Sequence, residues 1–286
     1  MENFVKVINW LEKEKDIIHR IALLGGEPTL HPQFIDFIKY LLPRKLGILV
    51  FTNGMVNDKF FCYDIIKIAK ENNVRSFPEF GFCVNINEPQ YINENENKLQ
   101  TIFFSQLGKV TSLSFNIFEE SFDPYFLIDT INRYKLIKNI RLGISSPSSN
   151  KNEYLNIDYY NEVGIKIMEF IRTAQKHKIF INFDCGFTRC MFTENNLLEL
   201  NYLKNSNIIF DCEPVLDIHP NLDITCCYPT SNCFAENILK CELYSTVFCN
   251  FKKNLDNIKP IYDKCLTCEH LTINCDGGCR GHKIHG

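Results

Sequence analysis

Residues 21–32, IALLGGEPTLHP, decide how the fold is read. A four-residue apolar run ends in two glycines, a glutamate and a proline, and apolar Phe34, Phe37, Ile38 and Leu41 follow close behind. The i, i+3, i+4, i+7 spacing of those four predicts a helix, and the short apolar run predicts a buried strand. Glycines in a strand-to-helix turn let a ligand approach the backbone closely, and Glu27 adds one anionic acceptor suited to a cationic amine. The plainer alternative for Gly25, Gly26, Glu27 and Pro28 is a tight turn with Glu27 solvated beside a helix start.

The same alternation extends in both directions. Phe4, Val7, Ile8 and Leu11 form one amphipathic stripe, and Val163, Ile167, Phe170 and Ile171 another. Between them lie the apolar runs 48–51, 80–86, 110–117 and 140–144, which with 21–24 make five expected strands. Short buried strands separated by helices predict an α/β protein built of βα units around a parallel sheet or barrel. Thr52, Asn53 and Gly54 close the second strand at the end where α/β proteins build ligand sites. Asn-Gly alone is a turn signal, so the position rather than the motif is informative. Asn85 and Asn87 extend the same polar rim, or equally cap the turn at Glu88-Pro89. After a helix near 156–176 the character changes. IFINF (179–183) leads into DCGFTRCMF, and 212–228 reads as a hairpin turning at Pro220-Asn221. A boundary near 178 divides a barrel-like part, 1–178, from a cysteine-rich part, 179–286, with no Gly/Ser linker between them.

A hydrophobic share of 45% supports a buried core, and a formal charge of −3 gives no support to nucleic acid or an anionic membrane as partner. No apolar run is long enough to span a bilayer and no secretory leader opens the chain, so a cytoplasmic protein is expected. Ten of the 14 cysteines fall from Cys212 to Cys279. In a reducing compartment that clustering favours metal over disulfide chemistry. Cys265, Cys268, Cys275 and Cys279, in CLTCEHLTINCDGGC, have spacings that suit iron–sulfur ligation or a tetrahedral structural zinc.

LLGGEPTLHPQF followed by LVFTNG resembles the second and third strands of radical S-adenosylmethionine (radical SAM) enzymes, and the tail resembles their SPASM extension, which holds auxiliary [4Fe–4S] clusters. The extension opens with two cysteines separated by 9–15 residues, a glycine and four more. Here Cys212 and Cys227 fit, with Leu222 in the glycine position. The second half fits Cys265, Cys268, Cys275 and Cys279, with a gap of six rather than five between the middle pair. The resemblance implies a partial (β/α) barrel with five of its six strands visible. It implies S-adenosylmethionine held by Gly25, Gly26, Glu27, Pro28, Thr52, Asn53 and Asn85, and one or two auxiliary clusters. It assigns Cys212, Cys227 and Cys279 to one cluster and Cys265, Cys268 and Cys275 to the other, with Cys185 or Cys190 as a further ligand to the first. It also implies a peptide or protein substrate and an electron donor. Two features depart from the family. Its Cys-x3-Cys-x2-Cys loop and first strand are missing from these residues, which leads us to expect an N-terminally truncated, split or cleavage-inactive chain. A last cysteine after Cys279 is also missing, and His282 or His285 could stand in for it. Cys62, Cys83 and Cys226 read as core thiols, Cys226 facing away from Cys227 by strand alternation. Cys233, Cys241 and Cys249 carry no assignment. The alternative function is a non-catalytic peptide-binding protein with a structural zinc module.

Overall fold

The computed structural model describes residues 1–58, 60–72, 74, 79–148, 153–203 and 206–285. Among these, β1 (Arg20–Leu23), β2 (Gly47–Thr52), β3 (Phe80–Asn85), β4 (Thr111–Ile117), β5 (Asn139–Ile144), β6 (Phe180–Phe183) and the two-residue β7 (Ser206–Asn207) form one sheet. They pair in sequence order and all in parallel, with β1 and β7 as the edges. Parallel neighbours need a crossover, and helices supply it: α2 (Phe34–Leu41), α3 (Phe61–Glu71), α4 (Glu94–Leu107), α5 (Tyr125–Tyr134) and α6 (Tyr160–Lys176). α1 (Glu2–Leu11) precedes the sheet, and α7 (Glu194–Tyr202) connects β6 to β7. This is an open (β/α) barrel of the radical SAM type.

The stripes read from the sequence lie where expected. Ile8 and Leu11 are buried on α1, Phe34, Ile38 and Leu41 on α2, and Val163, Ile167, Phe170 and Ile171 on α6. The strand count needs one correction. The run 179–183, expected to enter the cysteine-rich part, pairs with β5 as a sixth full strand. Its Ile181 is fully buried in the same core as Ile140 and Leu142 of β5, so burial draws it into the sheet.

The two faces of the sheet differ in chemistry. Ile48, Val50, Phe82, Val84, Leu113, Phe115, Ile117 and Ile140 are buried in the core beneath the helices. On β4 to β6 the residues that alternate with them, Ser112, Ser114, Asn116, Arg141 and Asn182, are polar, whereas Leu49, Phe51 and Cys83 keep the same face of β2 and β3 apolar. Parallel strands buried on both faces read as continuous apolar runs, so a polar second face marks an interior left open for water or a ligand. On β1 the burial is weaker: Ala22 is exposed, and Leu24 just beyond it is 52% exposed.

The rest of the chain is smaller. β8 (Leu216–Ile218), β9 (Asp223–Cys226) and β10 (Ala235–Asn237) form an antiparallel sheet in the order β10-β9-β8. The expected hairpin is β8 and β9, and β10 adds a strand the sequence reading lacked. α8 (Tyr244–Asp256) and α9 (Gly281–His285) follow. α1 joins this part to the barrel: Trp10 Nε1 donates to Cys241 O (2.9 Å), and Glu14 accepts from the backbone and hydroxyl of Ser245 (2.9 and 2.6 Å).

Candidate functional site

Glu27 ties the ends of β1 and β2 together. Its Oε1 accepts from Thr29 N (3.1 Å), Thr29 Oγ1 (2.6 Å) and Thr52 Oγ1 (2.7 Å), and its Oε2 accepts from Asn53 N (2.8 Å). Pro28 opens the short 3-10 turn that carries Thr29. Four donors hold the carboxylate in one place, and Oε2 keeps acceptor capacity for a further donor. Beside it Gly25 and Gly26 have φ of +97° and +47°, and a Cβ built on either meets nothing within 4 Å. The two positive φ values explain the glycines, and the space beside them leaves backbone that a ligand can reach.

Asn53 turns its Oδ1 onto Met55 N (2.8 Å), while its carbonyl accepts from Gln100 Nε2 on α4 (2.7 Å). Gln100 is buried, so this turn is braced from the helix layer. Asn85 Oδ1 accepts from Asn116 Nδ2 (3.3 Å), which extends the polar rim to β4. Next come Arg141 and Asp184, an ion pair, with Arg141 also near Ser114 Oγ (3.3 Å) and over the Phe51 ring (5.1 Å). Gly143 makes room for them, since a Cβ there would stand 2.6 Å from Asn116 Oδ1. The sequence reading missed Gln100, Asn116, Arg141 and Asp184. The signal for two of them was present: TSLSFNI and NIRLGI put polar Asn116 and Arg141 at alternating positions of otherwise apolar strands. A cavity of about 360 Å³ adjoins this turn between α4 and α5, lined by Asn87 and Gln100 together with Asn97, Phe104, Phe126 and Arg133.

Cys185 follows Asp184 at the C-terminal end of β6, the sheet end that also carries Glu27 and Asn53. It is exposed, and its thiol is pushed up first by the loss of water around it, then by Asp184 and, after that, by Cys279, Cys227 and Cys212. Cys212 is pushed up to about 11, first by burial and then by Cys279. Contact with Cys226 and then burial raise the Cys227 thiol, and burial raises Cys279. Cys190 stands on the 3-10 turn Arg189–Met191. Its neighbours are different: Cys265 interacts with Cys190, Cys275 and Cys268, and Cys275 with Cys190 and Cys268. Burial is the main cause that raises both Cys265 and Cys275.

Two observations test this donor set against a metal–sulfur group. Backbone N–H groups point at sulfur: Val215 N lies 3.2 Å from Cys227 Sγ and Gly277 N 3.4 Å from Cys275 Sγ. Such donors favour thiolate over thiol. Arg280 is 5% exposed, is felt by both Cys212 and Cys279, and leaves its Nη1 without a partner. Among the described residues no carboxylate forms an ion pair with it. A buried guanidinium without a counter-charge is costly, and metal-bound thiolates would supply one. The residues therefore fit an anionic metal–sulfur group. Among the described residues, no three His, Cys, Asp or Glu side chains close in around a single ion position.

Three further expectations have structural answers. Cys226 is a core thiol, but its sulfur lies 3.9 Å from that of Cys227 rather than on the opposite face. Cys227 lies beyond β9 with φ of +47°, and that turn of the backbone breaks the strand alternation. Leu222, in the family's glycine position, has φ of +72° and is buried. His282 faces Tyr160 Oη (3.3 Å), with burial pushing it down to about 4, and His285 Nε2 lies 2.8 Å from Pro229 O.

No protein-family model matches this chain, and no curated protein matches it. Solved structures do. Streptococcus suis SuiB bound to S-adenosylmethionine superposes with a TM-score of 0.63 at 15% identity over 99% of this chain and 66% of that one. SuiB alone matches at 0.63 and 16%, covering 99% and 67%. SuiB bound to the precursor peptide SuiA matches at 0.63 and 15%, covering 99% and 65%. The chain thus spans about two thirds of SuiB, and the likeness is one of fold.

Proposed function

We propose that the chain is a radical SAM protein with auxiliary [4Fe–4S] clusters on its tail, which in its intact form modifies a peptide or protein and whose 286 residues are truncated, split or cleavage-inactive. The observation that carries this reading is the open cradle of Gly25, Gly26 and Glu27 at the sheet end that also bears Cys185, and it is supported by a buried, carboxylate-free Arg280 directly after Cys279. Likeness to a fold seen with S-adenosylmethionine and with a peptide supports it.

In an intact protein a further cluster on the Cys-x3-Cys-x2-Cys loop missing from these residues would supply the radical chemistry of bound S-adenosylmethionine, and auxiliary clusters on the tail would supply electron transfer with reducing equivalents from an external donor; these residues alone are cleavage-inactive. The chain's own residues bind, orient and exclude. Gly25 and Gly26 offer open backbone to an amino-acid-like end, and the free acceptor capacity of Glu27 suits its ammonium. Thr52, Asn53 and Asn85 line the rim beside it, braced by Gln100 and Asn116. Arg141 and Asp184 bring paired charges to the same face, and such groups can orient a substrate's polar backbone. Zinc in place of clusters, with peptide binding and no chemistry, is the competing reading.

The test is anaerobic reconstitution of the 286-residue chain with ferrous iron and sulfide, then metal analysis, visible absorption and equilibrium dialysis with S-adenosylmethionine. Broad absorbance near 400 nm with up to about eight irons per chain is expected for two four-iron clusters. S-Adenosylmethionine binding should weaken at least tenfold in Gly25→Val. A colourless protein that retains only zinc removes the cluster reading, and binding unchanged by Gly25→Val removes the cradle.

A further inference from the structure

We propose that the cleft between α4 and α5 is a second ligand site, that it takes a short extended peptide segment of neutral or basic character, and that Gln100 links its occupancy to the cradle of Glu27. The link presupposes S-adenosylmethionine in that cradle, as proposed above; the cleft stands without it.

The two helices each turn one face to the cleft. On α4 the lining residues Asn97, Gln100, Thr101 and Phe104 recur every three or four positions, and on α5 Phe126, Asp129, Thr130 and Arg133 do the same. From Glu94 to Phe104 the lining face of α4 rises about 15 Å, the length of four or five extended residues. Tyr134 of α5 ties the helices together, its Oη 3.1 Å from Thr101 Oγ1. Buried Ile86 and Phe104, with half-buried Phe126, give the cavity of about 360 Å³ an apolar floor, and that volume is in the range of small-ligand sites. Three amides line the same space. Asn87 and Asn97 are exposed, and among the described residues no hydrogen bond engages either side chain. Gln100 is 5% exposed; its Nε2 donates to Asn53 O (2.7 Å), and its Oε1 has no donor among the described residues. A primary amide holds a donor and an acceptor side by side, which matches the N–H and C=O of a peptide.

The charges narrow the choice of ligand. Glu94 and Asp129 stand against a single lining cation, Arg133, and among the described residues none of the three forms an ion pair. A phosphate-bearing ligand calls for clustered cations or free backbone N–H groups. The start of α4 offers neither, because Asn93 and Glu96 cap it reciprocally at 3.0 Å each way and Glu94 sets a carboxylate beside it. A rim with one negative charge in excess instead suits a neutral or basic peptide.

Gln100 gives the site its consequence. Glu27 Oε2 accepts from Asn53 N (2.8 Å) and Asn53 O accepts from Gln100 Nε2, so the backbone of one residue joins cradle to cleft. A peptide N–H donating to Gln100 Oε1 polarises that amide and strengthens its donation to Asn53, since hydrogen bonds in a chain reinforce one another. Filling the cleft therefore tightens S-adenosylmethionine binding, and by linkage S-adenosylmethionine tightens peptide binding by the same factor.

The probe is a synthetic library of acetylated, amidated random pentapeptides, passed over the immobilised 286-residue chain without S-adenosylmethionine and read by mass spectrometry. Retained peptides should be neutral or basic and carry an apolar side chain. Asn97→Trp, which fills the cleft from an exposed position, should lower their retention at least tenfold. Lys98→Trp, exposed on the same helix but outside the cleft, should keep it. The most strongly retained peptide then enters equilibrium dialysis with S-adenosylmethionine. It should tighten binding at least twofold in the unmutated chain and have no effect in Asn97→Trp or Gln100→Leu. No retained peptides, equal retention by Asn97→Trp and Lys98→Trp, or retention of acidic peptides alone overturns the site. Retention that depends on Asn97 with dialysis unmoved by the peptide overturns the link and leaves the site. A chain that retains peptides but binds no S-adenosylmethionine overturns the cradle reading and the link together, with the site still standing.

Discussion

A glutamate that accepts four hydrogen bonds from Thr29, Thr52 and Asn53 cannot be exchanged for its amide without setting a donor against a donor. Glu27→Gln should therefore lower stability by about 1–3 kcal/mol, the cost of losing a charged acceptor in a partly buried site. Urea titration should show a lower midpoint at unchanged slope. Leu222 poses the opposite problem. Its φ of +72° is a conformation that glycine adopts freely, yet its side chain is 5% exposed. Leu222→Gly would relieve roughly 1–2 kcal/mol of backbone strain but forfeit about 2–5 kcal/mol of buried leucine. A net loss of stability is expected, and a rise in the thermal midpoint would show that strain outweighs burial at this position.

Packing between elements carries the next consequence. α6 meets the Arg189–Met191 turn through Gly164, where even a methyl group has no room. Gly164→Ala should cost about 1–3 kcal/mol by overpacking. Because that turn also bears Cys190, the iron content of the reconstituted protein should fall with it. Full iron alongside the expected destabilisation would mean that the turn yields without moving its thiol. The strands show how far element reading can go. IALL, ILVF and their successors were legible because short apolar runs alternate with amphipathic stripes. The run 179–183 was placed in the wrong company, since nothing within five residues tells which sheet a buried strand will join.

At the scale of the whole molecule, the first helix and the 3-10 turn that follows it form one of the joints between barrel and tail. Trp10, the only tryptophan, donates to Cys241 O and meets the Tyr244 ring at 6.3 Å, while Glu14 accepts twice from Ser245. Those hydrogen bonds hold the Glu14 carboxyl below the ordinary glutamate value. A depressed folded-state value contributes stability that is present above the unfolded value and lost as pH falls through the folded one. Trp10 emission should accordingly shift to the red as pH drops below about 4.3, the ordinary glutamate value. In Glu14→Gln that acid step should vanish; an identical shift in both proteins would place its cause elsewhere. Local pattern was enough to determine the α/β class, the ligand-side turns GGEP and TNG, and a tail of metal-ligating thiols, because periodicity and residue chemistry act within a few positions. Only the tertiary structure decided that Asn116, Arg141 and Asp184 share one polar face and that Arg280 is buried without a carboxylate partner among the described residues. Each of these depends on strand register and loop packing between segments far apart in the chain, where glycine contacts and buried volume, rather than spacing, fix which side chains meet.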